Sequence, residues 1–338
     1  MKNKPVLIVL LVAILASLGV FYTLEAPKLG NPTAEKKIDE RSIEMLFVGD
    51  IMFDRGVRTS VVKNLGGDYN KLYENAGYLK EADIAFGNLE GPVATSGLKI
   101  GSRFSFRMDP AGLTAMKNAG FDIVSFSNNH VGDYTIEAFK ETMSLLDKEG
   151  ILYAGAGANY VDTWTPRIIS VRGVRVGFLA ATDVGPDWMK ATEESPGILI
   201  AKDKDLPGMI ANADSKVDVL VVSFHFGDEY SPANSRQEEL AKLAIDFGAD
   251  IVVGHHPHVM QKFEYYNGKP IFYSLGNYIF DQYFSPTTMH GMIGKVSYNP
   301  KSKQYSMSAM ISPQNDFYVP MEPFPFEEKF LITKRFTP

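Results

Sequence analysis

Ile251-Val252-Val253-Gly254-His255-His256-Pro257-His258 sets a short β-branched run directly against three imidazoles within four residues. A run of that kind, bounded by Gly and Pro, reads as a buried strand that ends where the histidines begin. Packing alone does not explain three adjacent imidazoles, so the stretch reads as metal binding. The same arrangement recurs elsewhere in the chain. Met45-Leu46-Phe47-Val48-Gly49 leads to Asp50, and Ile84-Ala85-Phe86-Gly87-Asn88-Leu89 leads to Glu90. Ile123–Phe126 leads to Ser127-Asn128-Asn129-His130, and Val221-Val222-Ser223-Phe224 leads to His225. In open α/β sheets, ligands gather at the carboxyl ends of strands. These dispersed polar groups are therefore expected to converge in one crevice.

The intervening sequence supports that geometry. Strand candidates are Ile43–Val48, Ile84–Phe86, Ile123–Phe126, Val174–Ala180, Val219–Phe224, Ile251–Val253 and Ile271–Tyr273. Helical stretches are expected over 111–119, 135–149 and 235–247. The second stops at Gly150. The third opens at Ser235 with Glu238 three residues on, a capping-box spacing, and stops at Gly248. This alternation predicts an α/β fold with a mainly parallel sheet packed by helices. Residues 42–290 form the expected domain. Residues 291–338 lose the rhythm, and are expected to add edge strands and a surface-packing extension.

The chain has 338 residues and a net charge of −6, which argues against a nucleic-acid partner. It has no cysteine, so disulfides, thiolate ligands and a cysteine nucleophile are excluded. Val6 to Leu24 is apolar or uncharged throughout, and as a helix it would span roughly 28 Å, about a hydrocarbon core. Lys2 and Lys4 precede it, which favours N-in orientation and an extracytoplasmic domain. The expectation is a single-pass membrane anchor over residues 1–24 and a tether over 25–41. The alternative is a cleaved signal peptide, but the run is long for one and no clear small-x-small site follows it.

Imidazole, carboxylate and amide oxygen together suit Mn²⁺, Fe or Zn²⁺ better than Ca²⁺. Six candidate donors exceed one tetrahedral site, and a pair of ions about 3.5–4 Å apart would use them. Arg107 is a candidate for pairing with an anionic substrate group through its planar fork, or else a surface salt bridge. Asn277 follows a strand and is a candidate crevice residue, or else an ordinary turn.

Taken together, Val48-Gly49-Asp50-Ile51-Met52, Gly87-Asn88-Leu89-Glu90-Gly91-Pro92, Ser127-Asn128-Asn129-His130, Gly254-His255-His256-Pro257-His258-Val259 and Tyr273-Ser274-Leu275-Gly276-Asn277-Tyr278-Ile279-Phe280 resemble the CapA family of poly-γ-glutamate capsule synthesis (PgsA-like proteins). That family lies within the calcineurin-like metallophosphoesterase superfamily. The resemblance covers about residues 43–283. It implies a metallophosphatase-like α-β-β-α sandwich behind an N-terminal transmembrane helix, and one or two divalent metal ions. It implies Asp50, Glu90, Asn129, His225, His256 and His258 as ligands, with Asn88 beside Glu90. His130 becomes a proton donor or orienting group. His255 falls outside the ligand set. The superfamily carries Asp-x-His at its first motif, whereas here Ile51 and Met52 follow Asp50.

Two functions follow as expectations. One is metal-dependent hydrolysis of a phosphoester or amide, including a cell-envelope phosphoester. The other is a non-catalytic accessory role, in which the domain binds an anionic polymer or the subunits of a membrane synthase or exporter.

Overall fold

Alternate side chains of the strand Ile43–Ile51 (β1) enter two different cores. Met45 and Phe47 face a second sheet, while Leu46 and Val48 face helices. A strand covered on both faces needs apolar residues at nearly every position, so its sequence runs continuously apolar. The computed structural model describes residues 41–100 and 103–337. The expected anchor, and all but residue 41 of the expected tether, lie outside them. Among the described residues, no helix is long and apolar enough to cross a membrane.

After β1 come helix Arg55–Asn64 (α1), strand Ile84–Leu89 (β2), helix Ala111–Ala119 (α2), strand Ile123–Ser125 (β3), helix Ile136–Glu149 (α3) and strand Leu152–Ala154 (β4). The second half runs through Arg167–Val171 (β5), Val174–Thr182 (β6), helix Leu206–Asp214 (α4), Val219–His225 (β7), helix Ser235–Asp246 (α5) and Ile251–His255 (β8). It continues with Phe263–Tyr266 (β9), Lys269–Phe272 (β10), Asn277–Ile279 (β11), His290–Asn299 (β12) and Gln304–Pro313 (β13). One sheet has the order β13-β12-β1-β2-β3-β4, with Phe324–Pro325 beside β13 and β11 beside the end of β1. The other has the order β9-β10-β8-β7-β6-β5. Strands β1 to β4 are mutually parallel, as are β6, β7, β8 and β10.

The two sheets pack face to face. Phe86 of β2 stacks on Phe178 of β6 at 5.7 Å between ring centroids, inside a core that also holds Val221 and Val253. On the far side of the first sheet lie Val57 and Val61 of α1, Leu113 and Met116 of α2, and Phe139 of α3. Ile210 of α4 and Leu240 of α5 cover the second sheet with Leu220, Val222 and Phe224. The layers are therefore helix, sheet, sheet, helix, as expected.

Three local readings change. Helix α5 is capped by Asn234, not Ser235: the Asn234 side chain accepts from Gln237 N, and Gln237 Oε1 accepts from Asn234 N. The capping box is real but one residue earlier. Helices α1 and α4 were not expected. α1 buries only Val57, Ser60 and Val61, too narrow a stripe to stand out, and α4 begins Leu206-Pro207-Gly208, which reads as a turn although Pro fits a first helical turn. Finally, β12 is an interior strand. It lies between β1 and β13 and buries Met292, Ile293 and Val296, where edge strands were expected. Gly291, Gly294, Lys295 and Ser297 dilute its apolar pattern.

Candidate metal centre

Strands β1, β2, β3, β7 and β8 all deliver a polar residue at, or just beyond, their carboxyl ends. Two glycines allow the backbones to approach there. A Cβ at Gly49 would lie 1.9 Å from the Gly276 carbonyl oxygen, and one at Gly254 would lie 2.0 Å from that of Tyr273. Each precedes a site residue, Asp50 and His255. Register aligns Asp50 with Asn88 on one side and Asn277 on the other, and His255 with His225.

Asp50, Glu90 and His225 present ligand atoms within 4.8 Å of one another, and all three are buried. Asp50 Oδ1 accepts from Asn88 Nδ2 at 2.9 Å, and His256 N donates to Asp50 Oδ2 at 3.3 Å, joining the two sheets. His255 Nδ1 and His258 Nδ1 lie 3.3 Å from its two oxygens. Burial works against the Asp50 anion, but the bonds to His255 and His258 outweigh it and hold its carboxyl well below the usual range. Glu90 goes the other way. Burial, then the Asp50 charge, push it well above the usual range. Asn88 Nδ2 also donates to Glu90 Oε2, while Asn88 Oδ1 accepts from Ser125 Oγ at 2.8 Å and Asn128 Nδ2 at 3.2 Å. Asn88 thus orients both carboxylates.

Two of the imidazoles are disfavoured as cations by their surroundings. Burial, then neighbouring His256, push His225 well below its ordinary value, and burial with His258 brings His256 to about 3. His258 is raised: burial opposes the charge, but Asp50 outweighs it. His225 Nε2 lies 2.9 Å from Asn129 Oδ1 and 3.5 Å from Glu90 Oε1. His256 and His258 carry positive φ, +99° and +58°. Non-glycine residues there are strained, and such strain concentrates at functional sites.

A divalent cation fits this donor set. Glu90 Oε1 and His256 Nδ1 are buried without a hydrogen-bond partner, and two carboxyl groups share one buried pocket with the imidazoles of His225 and His256. Buried polar atoms are normally satisfied, and buried carboxylates are normally paired or bound to metal.

The expected residues Asp50, Glu90, Asn129, His225, His256 and His258 therefore come together. His130 stands at the rim. Its Nδ1 pairs with Asp133 Oδ2 at 2.8 Å, and its ring packs 4.1 Å from that of Phe106. Asn277 Oδ1 is 2.9 Å from His258 Nδ1, so it orients an imidazole. His255 is fully buried behind Asp50, against Phe86. Arg107 is the exception. Its guanidinium donates to the carbonyls of Ser96 and Gly97 and lies 4.6 Å from the Tyr134 ring centroid, so it fastens a loop. A planar fork serves backbone carbonyls as readily as substrate, and the sequence does not distinguish them.

A cleft of about 670 Å³ opens beside the cluster, lined by Asn129, His130, Glu229, Tyr230 and His258 among others. The sequence reading missed Glu229, which forms a second group with His256 and His258, again within 4.8 Å. It also missed Asp133. The signal for Asp133 was its place three residues after His130; Glu229 carried none, being one acid among ordinary loop residues.

The sequence model of a family described as "Bacterial capsule synthesis protein PGA_cap" matches residues 44–282. The capsule biosynthesis protein CapA of Bacillus anthracis is 38% identical over 261 residues, covering 75% of this chain and 63% of that protein. The PGA biosynthesis protein CapA of Bacillus subtilis is 34% identical over 274 residues, covering 79% of this chain and 71% of that one. The chain thus spans under two thirds of the first relative's length. Among solved structures, a novel phosphatase from Mycoplasma pneumoniae superposes with a TM-score of 0.51 at 13% identity, over 83% of this chain and 97% of that one. That likeness concerns the fold.

Proposed function

The chain belongs to the PGA_cap family of bacterial capsule synthesis proteins, and from that membership we propose that it is a membrane-anchored accessory protein of poly-γ-glutamate synthesis or export, with a metal-dependent hydrolase-type site facing out of the cell. Val6–Leu24 would be the anchor, with the amino terminus inside. The anionic polymer, or a phosphoester, is the proposed substrate class, and synthase or exporter subunits are the proposed partners. The observation that carries the hydrolase reading is the meeting of Asp50, Glu90 and His225 within 4.8 Å, with Glu90 Oε1 buried and unpartnered.

Asp50, Glu90, Asn129, His225, His256 and His258 would hold the cation or cations, of Mn, Fe or Zn type. When bound, the metal would supply positive charge where negative charge develops, and would acidify water. The chain's own residues do the rest. His130 donates Nδ1–H to Asp133, which leaves Nε2 as the nitrogen that passes a proton to the leaving group. Asn88 fixes the two carboxylates. Phe106 holds the His130 ring and shields one side of the cleft.

A non-catalytic reading has one observation in its favour. Where the superfamily places an imidazole after the first Asp, Met52 is apolar and wholly buried. In that reading the same site binds polymer without turning it over.

The test uses the full chain purified in detergent without added metal. Elemental analysis should find a divalent metal, and Mn²⁺-dependent turnover should appear on a phosphodiester, phosphomonoester or γ-glutamyl substrate. Metal without turnover on any of the three would leave the binding role. Absence of both metal and turnover would remove the hydrolase proposal.

A further inference from the structure

Outside the buried Asp50 group, the most unusual local feature is the loop that carries Glu229. Gly227 and Tyr230 both have positive φ, +92° and +55°. The loop is tied down at one residue, Tyr230, in three ways. Tyr230 N donates to Pro257 O at 2.9 Å, inside the His256-Pro257-His258 turn. Tyr230 OH accepts from Gln282 Nε2 at 3.0 Å, and Gln282 Oε1 accepts from Asn277 Nδ2, the same Asn277 that meets His258. Tyr230 O accepts from Phe336 N at 3.1 Å, and the Phe336 ring lies 5.2 Å from the Tyr230 ring. Upstream, Ile332 N donates to Met260 O at 2.9 Å, so the C-terminal segment is fastened at two points along this rim.

Tyr230, a non-glycine residue in the left-handed region and held at its carbonyl, amide and phenol, is being kept in place against its own preference. What the loop presents is one carboxylate. Glu229 lies with ligand atoms of His256 and His258 inside 4.8 Å. His256 is 7% exposed, and its Nδ1 has no hydrogen-bond partner. Arg55, one of the cations lining the cleft, is engaged with Asp281.

We infer that Glu229 is the third protein ligand of a second cation position with His256 and His258, and that the C-terminal segment, through Phe336, is the clamp that holds Glu229 there. The inference rests on the reading of the strand-end cluster as a cation site. Glu229 supplies an oxygen donor beside the two imidazoles. The last residues of the chain then set the occupancy of the outer position without touching the ion.

Mn²⁺ titration of the full chain in detergent, with free Mn²⁺ followed by electron paramagnetic resonance, tests this. Wild type should take two equivalents, one weaker. Glu229→Gln should lose the weaker one, with the tighter one and the metal-free melting temperature unchanged. Phe336→Ala should weaken the same equivalent by roughly 10- to 100-fold, as loss of a group supporting a ligand does, and Phe336→Tyr should stay near wild type. Two wild-type equivalents in Glu229→Gln would overturn the ligand. Equal weakening of both equivalents in Phe336→Ala, or no weakening, would overturn the clamp. A wild type that takes up one equivalent, unaffected by Glu229→Gln, sinks this inference alone. One that takes up none sinks the cation reading with it.

Discussion

His130 and Asp133 make the sharpest claim at the level of single residues. A positioned general acid contributes roughly 10²- to 10⁴-fold, so His130→Ala should lower kcat by about that factor with little change in KM or metal content. Unchanged kcat would remove His130 from the chemistry. Gly49 bears on stability instead. Because its Cβ would lie 1.9 Å from a backbone oxygen that cannot rotate away, Gly49→Ala should lower stability by about 1–3 kcal/mol or more, read as a lower melting temperature. The residues that were legible from sequence share one property: they follow an apolar strand, and strand ends converge by topology. Glu229 and Tyr230 also follow a strand, beyond His225, but a loop pinned by distant Gln282 and Phe336 leaves no local trace of the carboxylate it presents. Arg107 was visible as a cation, but its carbonyl partners were not.

Among elements, α5 and α3 each depend on a side chain acting on backbone. The Asn234–Gln237 box satisfies amides that the helix cannot satisfy itself, so Asn234→Ala should destabilise by about 1 kcal/mol in a denaturant titration. Glu141 of α3 gathers the loop Thr95-Ser96 through their amides and hydroxyls. Partial burial opposes its charge, but those four bonds outweigh it and bring the carboxyl from the ordinary 4.5 to about 2. A lowered carboxyl stabilises the fold above the ordinary value, and that contribution is lost as pH falls through about 2. The stability gap between wild type and Glu141→Gln should therefore be constant above pH 5 and narrow from there towards pH 2. A gap that widens on acidification would contradict this. The main strands and α2, α3 and α5 were legible because their periodicity is strong. The α5 cap was misplaced by one residue because Asn and Ser, adjacent here, are both good caps. Strand β12 was read as an edge because Gly291, Gly294, Lys295 and Ser297 dilute its apolar pattern, and its β1 partner lies far away in sequence.

The whole molecule rests on the dry layer between its two sheets. Phe178 stacks on Phe86 there, fully buried, so Phe178→Ala should cost about 3–5 kcal/mol, measured by denaturant midpoint. The candidate metal site should follow, since its candidate ligands come from both sheets. Strand β12 sets a different constraint, one of time. Strand β1 pairs Ile43 with Tyr298 and Phe47 with Gly294, in β12. Until β12 emerges, that flank of β1 offers an open row of amides and carbonyls that any other strand can template on. Contacts this remote in sequence form late. Translation must therefore pass β12 before the sheet can close, and a ribosome stalled short of His290 leaves a nascent chain with a sticky flank. In the cell, such unfinished chains should depend on holding chaperones.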